Sequence, residues 1–194
     1  LLFGAVGVIT FAPHPALAHA GAALFFRGEK GGAVVFEAES QYQYIAVRST
    51  SSDPNIRGLY LDKMLHSEMD ISKPTTLLYR YSWTYEAVLE DLKPGNIPLT
   101  TFVIGGGGLT FPQYLATKRP GGLCDVAEID PEVSRAAGEY CGFREHPEVR
   151  LHHLDARNFV TDQVRRLRTG TLARKYDFVF GDTFNDYSVP FHLV

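Results

Sequence analysis

The second half of the chain carries glycines and carboxylates at points where a ligand is easy to hold. The run "FVIGGGG" places Gly105, Gly106, Gly107 and Gly108 directly after an apolar strand and before a helix. Backbone without side chains lets a ligand approach closely, and a helix N-terminus favours electron-rich groups. A tight strand-to-helix turn needs the same glycines, so the run alone does not separate turn from cradle. Leu109 and Thr110 follow, which departs from GxGxxG and gives a dinucleotide pyrophosphate little support. Glu128 in "VAEID" stands roughly 20 residues later, where a carboxylate accepts hydrogen bonds from both hydroxyls of a ribose. Asp155 in "LHHLD" either accepts from an adenine amino group or caps the helix that begins at Ala156. Asp182 in "FVFGD" reaches into the crevice where a ligand's reactive end would lie, or makes a turn. Asn185 and Asp186, in the polar stretch beyond it, either recognise a cationic substrate or complete that turn. Each residue has an ordinary structural reading, but together, in strand order, they favour an adenosine-type cofactor site.

The elements that must position these residues alternate. "TTFVIGG", "LCDVAEID", "VRLHHLD" and "YDFVFGD" are short apolar runs ending in glycine or an acid, with helical stretches between them. Asp130 is the N-cap and Pro131 the first residue of one helix, whose stripe is Val133, Ala136, Ala137, Tyr140 and Cys141. Phe159, Val160, Val164 and Leu167 form the stripe of the next. Strands alternating with helices predict βαβ units and a parallel sheet covered on both faces, which binds ligands at the carboxyl ends of its strands. Upstream, "AVVFEA", "YQYIAV" and "GLYLDKML" read as strands and "SSDPN" as a turn, so residues 33–70 predict a small antiparallel sheet. Tyr81, Tyr85, Val88, Leu89 and Leu92 fall on one face of a helix that Pro94-Gly95 ends. The chain therefore divides into residues 31–95, a small β domain with a connecting helix, and 96–194, a Rossmann-like nucleoside-binding domain.

Composition narrows the classes. In 194 residues, 45% hydrophobic and 21% charged usage is globular rather than disordered. A net charge of -3 supplies no basic field for nucleic acid, and the "VRRLR" run reads as a solvated helix face. The two cysteines, Cys124 and Cys141, show no CxxC or Cys/His spacing and read as buried thiols, with no metal site implied. His152 and His153 are adjacent in a strand and face opposite ways. The first 26 residues contain no Asp, Glu, Lys or Arg, but Pro13, His14, Pro15 and His19 interrupt them. Residues 1–30 read as the tail of a membrane segment with a linker, against a competing signal-like reading at Ala18-His19-Ala20.

The set "YQYIAV", "LYLDKMLHS", "FVIGGGG", "VAEIDPEV", "LDARNF" and "YDFVFGD" resembles, in order, the spermidine synthases, the polyamine aminopropyltransferases, from about Glu37 onward. "GGGGLTFPQYL" and "DTFNDYSVPFHL" look most like the bacterial branch that carries membrane segments before the enzyme domain. The resemblance implies an α/β fold in which a small antiparallel β domain precedes a Rossmann-like methyltransferase domain. It implies decarboxylated S-adenosylmethionine as co-substrate, an aminopropyl group passed to a polyamine such as putrescine, a homodimer, and no metal. It places the enzyme domain in the cytoplasm at a membrane, with soluble cytoplasmic or exported protein as alternatives. Gln43 then resembles a residue near the cofactor's sulfur and ribose, Glu128 the ribose ligand, Asp155 the adenine ligand, and Asp182 the acid that assists amine deprotonation.

The chain departs from that pattern at several points. Gly108 stands where GGGDG has its aspartate, and Leu109 where it has its last glycine. A lost charge-assisted hydrogen bond is worth roughly 1.5–3 kcal/mol, so S-adenosylmethionine itself becomes acceptable and methyl transfer is the alternative; a non-catalytic nucleoside-binding module is the third reading. Lys63 and His66 replace the glycine and glutamine of LDGxxQ, and an insertion separates Ile71 from Arg80. Tyr85 and Glu86 match the polyamine contacts loosely, leaving His66, Tyr85, Glu86, Asn185 and Asp186 as acceptor-side candidates. The sequence stops at Val194, just past the fourth parallel strand, which predicts a C-terminally incomplete sheet.

Overall fold

A computed structural model describes residues 32–50, 52–171 and 174–183; the uncharged N-terminal stretch, Asn185 and Asp186 lie outside them. The first sheet is formed by β1 (Val34–Glu39), β2 (Tyr44–Ser49), β3 (Ile56–Leu61) and β4 (Met64–Asp70), antiparallel and in chain order. β2 is buried throughout, as its run of aromatic and β-branched residues dictates. "GLYLDKML" is not one strand but a hairpin. Leu61 pairs with Met64, and Asp62 takes a left-handed φ of 52° while its carboxylate accepts the Tyr44 amide at 3.1 Å. Asp tolerates that conformation through local hydrogen bonds, so the turn forms without glycine or proline to mark it. One bulge matters for the site: Leu59 pairs with Ser67 and Tyr60 with Leu65, leaving His66 as the extra residue.

Helix α1 (Arg80–Leu92) connects the sheets. Its covered row is Tyr81, Tyr85 and Leu89, whereas Val88 and Leu92 are 42% and 61% exposed, against expectation. The second sheet follows as β5 (Thr100–Ile104), α2 (Thr110–Lys118), β6 (Leu123–Ala127), α3 (Pro131–Tyr140), β7 (Val149–His152), α4 (Ala156–Arg168) and β8 (Phe178–Gly181). The strands are parallel in the order β7-β6-β5-β8, so the α/β fold with a preceding antiparallel sheet is borne out. The order reverses at β5, the switch point at which such sheets open a crevice.

Three cores hold this arrangement. Val103, Val126 and Phe180 pack under Leu89, Leu109 and Phe111 on one face of the parallel sheet. Phe102 and Ala127 meet Ala156 and Phe159 on the other. Ile45, Val47, Leu59 and Met69 of the antiparallel sheet pack on Val133, Ala136 and Cys141, so α3 joins the two sheets through the stripe its sequence predicted. Both cysteines are buried, and burial pushes each thiol up to about 12. The α4 stripe differs from expectation, since only Phe159 is buried while Val160, Val164 and Leu167 are 39–50% exposed. They line, with Phe102 and Val179, an apolar groove of about 380 Å³. His152 ends β7 and meets Asp125 at 2.6 Å, and His153 lies just past the strand. Among the described residues no helix is long and apolar enough to cross a membrane, and no cluster is suited to a metal ion.

Candidate functional site

The parallel register sets the site. Ile104 pairs with Ala127 on one side and Gly181 on the other, so the next residues, Gly105, Glu128 and Asp182, stand side by side at the carboxyl ends of β5, β6 and β8. The row is tied by Gly105 N–H donating to the Ala127 carbonyl at 2.9 Å and Asp182 N–H to the Ile104 carbonyl at 2.8 Å. Gly105 has φ 90°, and a Cβ there would lie 2.3 Å from the Asp182 carbonyl oxygen, so a side chain is excluded twice over.

The glycine loop closes on the protein itself. Gly106 N–H donates to Glu128 Oε2 at 2.7 Å, and the nearby Gly107 amide also favours the ionised form of that carboxylate. Gly108 N–H donates to Ser67 Oγ at 2.9 Å, and Leu109 N–H to the Gly106 carbonyl at 2.8 Å. The amides of Gly105, Gly106, Gly108 and Leu109 are thus spent internally. Leu109, with φ 55°, holds a left-handed position at the start of α2, where spermidine-synthase loops carry glycine.

Glu128 is 7% exposed, and its second oxygen accepts the Asp130 amide at 2.9 Å. Burial pushes its pKa up, opposed by those backbone bonds and reinforced by the Asp130 charge. A carboxylate has about four acceptor positions, so capacity for ribose hydroxyls is left. Asp130 caps α3 through the Glu132 amide at 3.0 Å, as the sequence predicts. Asp155 caps α4 through the Arg157 amide at 2.7 Å. Gln43 sits in the β1–β2 turn, where its backbone exchanges hydrogen bonds with Ser40. The antiparallel sheet reaches the glycine loop instead through Ser67 and Met69.

Around Asp182 the neighbours are tyrosines. Tyr81 donates its hydroxyl to the Asp182 carboxylate. Tyr85 donates to the Gly181 carbonyl at 2.7 Å and Tyr79 to the Leu65 carbonyl at 2.8 Å. The Tyr79–Tyr81 and Tyr81–Tyr85 rings meet edge to face, each at 5.3 Å. Burial pushes Asp182 up to about 6, with the Glu128 charge adding to the shift and the Tyr81 bond opposing it. All three tyrosines are pushed up in turn, first by burial and then by Asp182. Glu86 points elsewhere, its carboxylate held by the Tyr114 hydroxyl of α2. His66 occupies the bulge beside Ser67. Tyr79 and Ser67 were not singled out from the sequence, and Tyr81 was read there only as part of a helix face. Tyr81 carried a usable signal, one helical turn before Tyr85, whereas Ser67 carried none.

No family model matches the chain. It is 36% identical over 111 residues to a polyamine aminopropyltransferase of Vibrio vulnificus (strain CMCP6), covering 57% of this chain and 34% of that protein. The chain thus spans about a third of that relative's length. It is 31% identical over 88 residues to the Homo sapiens eEF1A lysine and N-terminal methyltransferase, covering 45% of this chain and 12% of that protein. A spermidine synthase in complex with the transition state analogue AdoDATO superimposes with a TM-score of 0.57 at 18% identity, over 77% of this chain and 47% of that one. Human methyltransferase-like protein 13 in complex with SAH gives 0.50 at 26% identity, over 58% and 53%. In fold this chain is similar to spermidine synthases and Rossmann-like methyltransferases, and in part of its sequence to transferases of both kinds.

Proposed function

We propose that this chain serves aminopropyl transfer from decarboxylated S-adenosylmethionine to a polyamine such as putrescine. The observation that carries the reading is Asp182, placed beside Gly105 and Glu128 at the switch point, bonded by Tyr81 and lifted to about 6. The residues fit such a nucleoside. Glu128 keeps acceptor capacity for ribose hydroxyls, Asp155 stands at the end of the neighbouring strand for the adenine amino group, and Gln43 is assigned to the sulfur side by resemblance. When bound, the sulfonium supplies an activated carbon–sulfur bond. The chain's own task is the amine: an ammonium has no lone pair, so a carboxylate must hold it and take its proton. A group near 6 is largely ionised at neutral pH yet basic enough to accept that proton. Tyr81 fixes the carboxylate's orientation. The division into residues 31–95 and 96–194 and membrane attachment through residues 1–30 belong to the same proposal and rest on sequence patterning together with the resemblance, and a homodimer rests on the resemblance alone.

Methyl transfer from S-adenosylmethionine is the second reading, favoured by Gly108 and by the similarity to a methyltransferase. Incubating the chain with putrescine and each nucleoside separates the two. Methylthioadenosine is the expected product, whereas S-adenosylhomocysteine would select methyl transfer. Asp182→Asn is expected to lower aminopropyl transfer by roughly 10²- to 10⁴-fold while methylthioadenosine still binds; an active Asn variant would remove Asp182 from the mechanism.

A further inference from the structure

We infer that this site selects its nucleoside by charge, holding the sulfonium form in preference to the neutral thioether and taking up that cation in exchange for a proton on Asp182. The inference rests on the proposed nucleoside binding and adds which form of the ligand is kept and which is let go.

Acceptors dominate the geometry. The amides of Gly105, Gly106, Gly108 and Leu109 are already donated, to Ala127, Glu128, Ser67 and Gly106. Beside them stand the carboxylates of Glu128 and Asp182 on adjacent strand ends, close enough for the charge of one to act on the other. The groups facing Asp182 are Tyr79, Tyr81 and Tyr85 from α1, Glu128 from the end of β6 and the Gly105 backbone from the end of β5. Among the described residues no cation acts on Asp182, and the leading influences on Glu128 are burial, backbone amides and Asp130. Two neighbouring carboxylates, Glu128 buried and Asp182 partly buried, are costly without a counter-ion, and a proton is the simplest neutraliser. A cationic ligand does the same work and displaces the proton, helped by aromatic rings that attract cations at their faces.

The direction of the linkage follows. Asp182 titrates near 6 in the free site, and a bound cation favours its ionised form. Binding below that value therefore releases a proton, binding well above it releases none, and affinity for the cation rises as pH rises through it. Once the sulfonium has become a thioether the attraction is gone, and the proton that Asp182 has taken from the amine neutralises the carboxylate as the spent nucleoside leaves.

Calorimetric titration of this chain tests the inference with two matched pairs, each differing only by the methyl group on sulfur: S-adenosylmethionine against S-adenosylhomocysteine, and decarboxylated S-adenosylmethionine against decarboxylated S-adenosylhomocysteine. Buffers of different ionisation heat count the protons. Each sulfonium is expected to bind roughly tenfold to a hundredfold more tightly than its thioether at about pH 8. The margin should narrow at about pH 5.5, where up to roughly three-quarters of a proton is released. Asp182→Asn should remove the release and shrink the margin. Tyr81→Phe keeps the carboxylate but removes a bond that lowers its pKa, so the release should persist to higher pH. Equal affinities within each pair at about pH 8, or proton release that survives Asp182→Asn, would overturn the charge selection and leave nucleoside binding standing. Binding of none of these nucleosides would overturn both.

Discussion

Gly108 lacks a side chain where Ser67 and Met69 already fill the space. A Cβ there would lie 2.6 Å from Met69 Cε and 3.0 Å from Ser67 Cβ, and the Ser67 hydroxyl accepts the Gly108 amide. Aspartate at this position, as in the spermidine-synthase loop, would press β4 away from the loop before it could meet an amine. Gly108→Asp is therefore expected to destabilise the protein by about 1–3 kcal/mol, part of which Ser67→Gly in the same chain should recover. Denaturant unfolding of the two single variants and the double variant measures that coupling; an unchanged midpoint for Gly108→Asp alone would contradict the packing. The sequence announces the missing carboxylate but not its cause, because Ser67 and Gly108 are 41 residues apart and neither type marks a contact. Asp130 is the contrasting case: its cap was legible because Pro131 and the apolar spacing fix where the helix begins.

At the scale of the element, periodicity identified which residues share a face but not whether anything covers that face. α3 buries Val133, Ala136 and Cys141 against the antiparallel sheet and stacks Tyr140 on Phe36 of β1, while α4 buries Phe159 and exposes Val164 and Leu167. Phe159 stacks on Phe102 at 4.7 Å, so Phe159→Ala is expected to cost about 3–5 kcal/mol. Leu167→Gln, at a position 50% exposed, should fall within about 0.5 kcal/mol. Unfolding midpoints of both variants check the contrast, and a large loss at Leu167 would mean that the face is covered in solution. The strands of the parallel sheet were legible because each apolar run ends in glycine or an acid. The β3–β4 turn was not, since Asp62 and Lys63 lie between apolar residues and the left-handed conformation of Asp62 leaves no trace in composition. The tyrosines around Asp182 were half legible: helical spacing aligned Tyr81 with Tyr85, but only the register of β8 against β5 brings Asp182 under them.

For the whole molecule, the buried carboxylates couple the site to folding. Asp182 titrates near 6 in the folded chain against 3.8 ordinarily, and Glu128 is raised as well. Between those values the folded state binds more protons than the unfolded state, so stability falls as pH rises through the window. Asp70 and Asp162, held low by Ser72 and by Arg165, work in the opposite sense, but only below 3.8. The free protein should therefore melt at a higher temperature at about pH 5 than at about pH 7.5, the reverse of a protein whose acids are paired with cations. Asp182→Asn should melt higher than the parent at the upper pH and flatten the profile. A saturating sulfonium nucleoside should also flatten it, because it supplies the positive charge that the two sheets leave out of their junction. A melting temperature that instead rises steadily across the window would show that Asp182 and Glu128 are ionised at no cost, and the electrostatic account of the site would fall with that result.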